Sequence, residues 1–169
     1  MKMSSSRVKR LATLAVLVSV GMVLSYVEAI LPIPVAVPGV KLGLANISTL
    51  FALYALGSPA ALLVSLLRVS LSALLFGNTV GFLYSLSGAL MSLAFMMIFK
   101  RLPIFSPVGV SIVGGVMHNA GQIIAAALIM RTAAIAAYLP PLIISGTLAG
   151  ILVGFASGLL LARVGKYIK

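Results

Sequence analysis

The sequence keeps returning to apolar runs long enough to cross a bilayer. About 21 residues with one charged side chain, Glu28, follow the basic N-terminus MKMSSSRVKR, and 107–130 holds a lone histidine and no fixed charge. A hydrocarbon core about 30 Å thick takes about 20 apolar residues as a helix, and within it each backbone N–H and C=O needs a partner inside the protein. Such runs fold as membrane helices. The whole chain, 62% hydrophobic with a mean hydropathy of +1.27, leaves no stretch polar enough for a separate soluble domain.

The 169 residues fit six spans with short connections, at about 11–31, 42–56, 59–76, 80–99, 107–130 and 140–162. The fold class is therefore an all-α integral membrane protein forming one transmembrane domain. Punctuation supports the boundaries. Pro32, Pro34 and Pro38 prevent the first helix from continuing, and Gly57-Ser58-Pro59 makes a tight turn with serine as N-cap and proline in the next first turn. Gly77 and Asn78 form another turn, Lys100, Arg101 and Pro103 close the fourth span, and Pro140 and Pro141 open the sixth. With no small-residue cleavage site before its end, the first run reads as a span and not as a removed signal peptide.

Charge gives the orientation. Of twelve Lys and Arg residues, nine (Lys2, Arg7, Lys9, Arg10, Lys100, Arg101, Arg163, Lys166 and Lys169) fall on one side of a six-span model. By the positive-inside rule that side is cytoplasmic, in a prokaryotic cell membrane, and holds both termini. Topology accounts for most of the net charge of +11, so nucleic acid is not an expected partner.

Polar groups inside the spans are the candidate site. Arg68, near the middle of span 3, has to face protein or a water-filled cavity. The one carboxylate of the chain is Glu28, so either the two form a bridge or the arginine awaits an anionic ligand. Lys41 opens span 2, where helix-end amides also favour negative charge. In GGVMHNAGQ, His118 and Gln122 are four apart and share a face that Ser111 and Gly115 continue, with Asn119 beside it. This stripe is either a ligand site or hydrogen-bonded glue between helices. Asn46, Asn78, Tyr54 and Tyr84 are weaker candidates, and the tyrosines suit interfacial anchoring equally. Gly146, Gly150, Gly154 and Gly158 recur every four residues in span 6 and leave a groove for close helix packing; Ala15 and Ser19 form a shorter small-residue pair in span 1.

Several chemistries are excluded. There is no cysteine, one histidine and one carboxylate, hence no thiolate or multi-histidine metal site, no acid cluster for magnesium and no paired acids for general acid–base work. No Walker A sequence is present, so nucleotide hydrolysis is not expected of this chain. No cofactor is expected, and the chain reads as a non-enzyme.

The runs PGVKLGLANISTLFALYALGSPAALLVSLLRVSLSALLFGN, FLYSLSGALMS and GGVMHNAGQ are similar to the Gx transporter family, often labelled heptaprenyl diphosphate synthase component I, over about residues 8 to 165. That family in turn resembles the substrate-binding S components of energy-coupling factor (ECF) transporters. The resemblance implies six helices, cytoplasmic termini and a ligand site opening outward under the loop between spans 1 and 2. It also implies a transmembrane coupling (T) subunit and two ATPase subunits as partners, docked on an Ala-x-x-x-Ala pattern whose nearest match here is Ala15 with Ser19. The expected function is capture of a small polar or anionic molecule by His118, Asn119, Gln122 and Arg68, then Lys41 and Asn46, with Glu28, Asn78 and Tyr84 as further contacts and the proline-rich loop as lid. Two other readings are a non-catalytic membrane subunit of isoprenoid or quinone synthesis and a proton-coupled carrier using Glu28 or His118.

Overall fold

The structure, a computed structural model, describes residues 5–30, 41 and 43–168. It is all helical: α1 (Ser5–Ile30), α2 (Asn46–Ala55), α3 (Ser58–Phe76), α4 (Thr79–Phe99), α5 (Pro107–Ile129) and α6 (Leu139–Ile168), with a 3-10 turn over Ala133–Tyr138 ahead of α6. Among the described residues five helices are long and apolar enough to cross a membrane; α2 is not.

The expected second span, 42–56, is corrected to the ten residues of α2. Ten residues rise about 15 Å, half of a hydrocarbon core. Gly43 breaks the helix ahead of it by adopting a φ of +86°, and the non-helical backbone of residues 43–45 packs inside the bundle. Residues 32–38, expected to act as a lid, lie outside the described residues.

Local chemistry sets the remaining ends. The Asn78 side chain accepts from the Gly81 N–H at 2.7 Å and caps α4; Ser106 does the same for α5 through Gly109 at 3.2 Å. Gly57, at φ +90°, and not Ser58, is the N-cap of α3, which carries Pro59 in its first turn. The Lys100 ammonium donates to the Leu53 carbonyl at 2.6 Å and lies over the Tyr54 ring, tying the end of α4 to the end of α2.

Helices α5 and α6 pack backbone to backbone. A Cβ on Gly115 would collide with the Gly146 carbonyl, one on Gly150 would come 2.6 Å from Ile112 Cα, and one on Gly154 would come 2.7 Å from Val108 Cα. Gly158 is a departure from the expected groove: nothing lies within 4 Å of its absent Cβ, because α5 begins at Pro107, next to the Val108 that meets Gly154, and has no further turn to offer.

Two apolar clusters occupy opposite ends of the bundle. One gathers Leu17, Leu50, Leu53, Val64, Leu93, Met96, Val110 and Val153; the other gathers Tyr84, Ile123, Ala126, Ile135 and Leu142 under the 3-10 turn. Along α5 the first cluster holds Val110 and the second Ile123, so His118 falls between them. Buried Ser25, Glu28, Asn46, Arg68, His118 and Gln122 gather there, a polar layer between two greasy ones.

Candidate functional site

The polar layer is built around the chain that leads into α2. Gln122 of α5, wholly buried, forms a two-point clasp on that chain. Its Oε1 accepts from the Lys41 N–H at 2.8 Å, and its Nε2 donates to the Lys41 carbonyl at 3.1 Å. From α1, the Glu28 carboxylate accepts from the Leu44 N–H at 2.8 Å. Non-helical backbone inside a membrane protein has polar groups that helix geometry does not satisfy, and these two side chains supply the missing partners.

Glycine makes the approach possible. A Cβ on Gly43 would stand 3.0 Å from His118 Cδ2 and 3.1 Å from Asn46 Nδ2, and its positive φ is one that other residues rarely adopt. On the far side of the imidazole, a Cβ on Gly88 of α4 would come 3.0 Å from His118 Cε1. The ring therefore sits between two glycines. Its Nδ1 is buried with no partner.

Arg68 reaches into the same layer from α3 and is 4% exposed. One terminal nitrogen donates to Ser25 Oγ at 3.2 Å and the other to Asn46 Oδ1 at 3.3 Å; Nε–H has no partner. Gly21 opens the passage for its stem, since a Cβ there would lie 2.5 Å from Arg68 Cδ. Glu28 and Arg68 do not close a direct ion pair: the carboxylate holds the Leu44 amide and the guanidinium holds two neutral oxygens. Fields still couple them. In the connection ahead of α2, burial pushes the Lys41 ammonium below its usual range, Glu28 pulls it back and Arg68 pushes it down again. Two cations and one anion leave the layer one positive charge in excess when all are ionised.

Below this layer Gly43, Asn46, Ser111, Gly114, Gly115 and Gly150 line a cavity of about 10 Å³. That is room for about one water.

Of the residues expected at the site, the structure brings together His118, Gln122, Arg68, Lys41, Asn46 and Glu28. Three stand elsewhere. Asn119 points to α6, donating to the Leu142 carbonyl at 2.7 Å and Ser145 Oγ at 3.3 Å, because consecutive helical residues are about 100° apart. Asn78 is the cap of α4, and Tyr84 is buried in the second apolar cluster. Ala15 and Ser19 lie on an exposed face of α1, with Ser19 Oγ donating to the Ala15 carbonyl. Sequence reasoning missed Ser25 and Gly21. The signal was available, since Gly21, Ser25 and Glu28 follow i, i+4, i+7 spacing and share one helix face.

A family model described as heptaprenyl diphosphate synthase component I matches residues 17–160. No curated protein matches the chain. Among solved structures, the S component of a bacterial ECF transporter superposes with a TM-score of 0.73 at 20% identity, over 96% of this chain and 99% of that one. At that identity the likeness is one of fold.

Proposed function

Because the chain belongs to the heptaprenyl diphosphate synthase component I family and shares the fold of an ECF S component, we propose that it is the substrate-binding membrane subunit of an ECF-type importer. Its ligand is a small polar or anionic molecule taken from outside the cell. The observation that carries this reading is Arg68. A cation within a span costs about 2.5 to 3.5 kcal/mol on insertion scales, and here it meets two neutral oxygens, with Nε unpaired beside a histidine whose Nδ1 is also unpaired. A carboxylate or phosphate oxygen would complete the Arg68 Nε–H. Half-length α2 adds to this, because its uncapped N-terminus, at Asn46, brings the positive end of a helix dipole to the same layer.

In this reading the backbone at Lys41 and Leu44, clasped by Gln122 and Glu28, is the gate. The ligand displaces Ser25 and Asn46 from Arg68, while His118 and Gln122 orient it. ATP hydrolysis belongs to separate partner subunits, reached through a T subunit docked on the exposed α1 face that includes Ala15 and Ser19.

Native mass spectrometry of protein gently extracted from its own membrane tests the assignment. The expected result is a retained small molecule that disappears in Arg68→Gln. Retention unaffected by that change would sink it. The family description supports a second reading, a non-catalytic subunit beside a soluble prenyl synthase. Unaltered product formation on reconstitution with such an enzyme would dismiss that one.

A further inference from the structure

Away from the polar layer, a groove of about 350 Å³ runs between the starts of α1 and α3, lined by Arg7, Arg10, Leu11 and Leu14 on one side and Pro59 and Leu63 on the other. Its floor is apolar and its mouth is cationic. Arg7, Leu11 and Leu14 follow i, i+4, i+7 spacing, so the guanidiniums sit at the end of a strip that continues as leucine. That is the pattern of a lipid, with a charged head and an apolar tail.

The two arginines have no internal neutraliser. The sole acidic side chain of the chain is Glu28, buried in the polar layer and eighteen residues beyond Arg10 on the same helix, about 27 Å along it. Both guanidiniums are exposed at the groove. The first turn of α3, which has no side-chain cap, brings the positive end of its dipole to the same place. Guanidinium pairs match a phosphodiester in geometry as well as charge. In a bilayer, an apolar groove at this level is filled by an acyl chain, so head and tail are recognised together.

We propose that this groove is a binding site for an anionic phospholipid, its phosphate on Arg7 and Arg10 and one acyl chain along Leu11, Leu14 and Leu63. A zwitterionic lipid offers the same phosphate but brings its own ammonium to a place already rich in cations. The site therefore selects by headgroup charge.

The chain has no tryptophan, so Leu11→Trp is a single reporter of the groove, and Leu152→Trp, on the exposed surface of α6 and away from its basic end, is its control. Each is reconstituted in bilayers of phosphatidylcholine with a trace of acyl-brominated phosphatidylglycerol or acyl-brominated phosphatidylcholine. The expected result is preferential quenching by the anionic lipid at Leu11→Trp and none of that preference at the control. The preference falls about five-fold for each arginine removed in Arg7→Gln and Arg10→Gln, and declines as salt is raised in the unmodified groove. Equal quenching by the two lipids, or a preference that survives the double replacement, would overturn the proposal. So would no quenching by either lipid, which would mean a protein segment fills the groove. Loss of the preference on adding inorganic phosphate at matched ionic strength would mean a free anion is held, and would overturn it as well.

Discussion

Arg68 and Asn119 are both buried polar residues within a span, yet they act differently. Arg68 is held by two weak partners and has an unpaired N–H, whereas Asn119 is anchored to α6 through its amide. Arg68→Gln is expected to lower affinity for the retained ligand by at least about 30-fold, by titration calorimetry, with the protein still folded. Asn119→Ala is expected to leave affinity unchanged and to cost about 0.6 to 1.7 kcal/mol of stability in denaturant titration. A reversal of the two would exchange their roles. At this scale, charge was legible: an arginine, a glutamate and a histidine inside apolar runs announce themselves. Their partners were not, since Gln122 meets Lys41 across 81 positions and through backbone atoms that carry no sequence signal. Asn78 shows the opposite case, a side chain whose sequence position hid its role as the cap of α4. A polar residue at a span boundary looks like a ligand group until the helix it caps is seen.

Among the elements, α2 shows where hydropathy stops being informative. Residues 43–45 are Gly-Leu-Ala, so they read as helix, but a coil packed inside protein needs the same apolar side chains as a helix facing lipid. The α5–α6 contact was legible as a four-residue glycine period, and its extent was not. Gly115→Leu, which forces a side chain into the Gly146 backbone, is expected to cost at least about 3 kcal/mol or prevent folding altogether. Gly158→Ala continues the same period into open space and is expected to change stability by less than about 1 kcal/mol, on the favourable side. Equal damage from both in thermal unfolding would mean that the contact runs the full length of α6.

For the whole molecule, six helices follow from the length and spacing of the apolar runs, legible before any coordinate, while the fold shared with an ECF S component was legible only through the resemblance of three segments to a known family. Orientation is a prediction from charge. The chain has no cysteine, so single-cysteine variants report it cleanly. Lys9→Cys and Arg101→Cys are expected to be shielded from a membrane-impermeant maleimide added to intact cells, and Thr132→Cys to be labelled. The opposite pattern would turn the site to face inward and end the importer reading.

Gln122 and Glu28 hold the chain ahead of α2 by its main-chain atoms alone. Such a latch is indifferent to what the loop spells. Replacing Lys41 or Leu44 removes none of the atoms it grips, so the residues that would touch a ligand are free to diverge while the closing mechanism stays the same. Gly43 is the exception, fixed by its backbone and by the imidazole against it. In the proposed importer, a change of ligand could then come from rewriting a few loop positions while the main-chain clasp is kept.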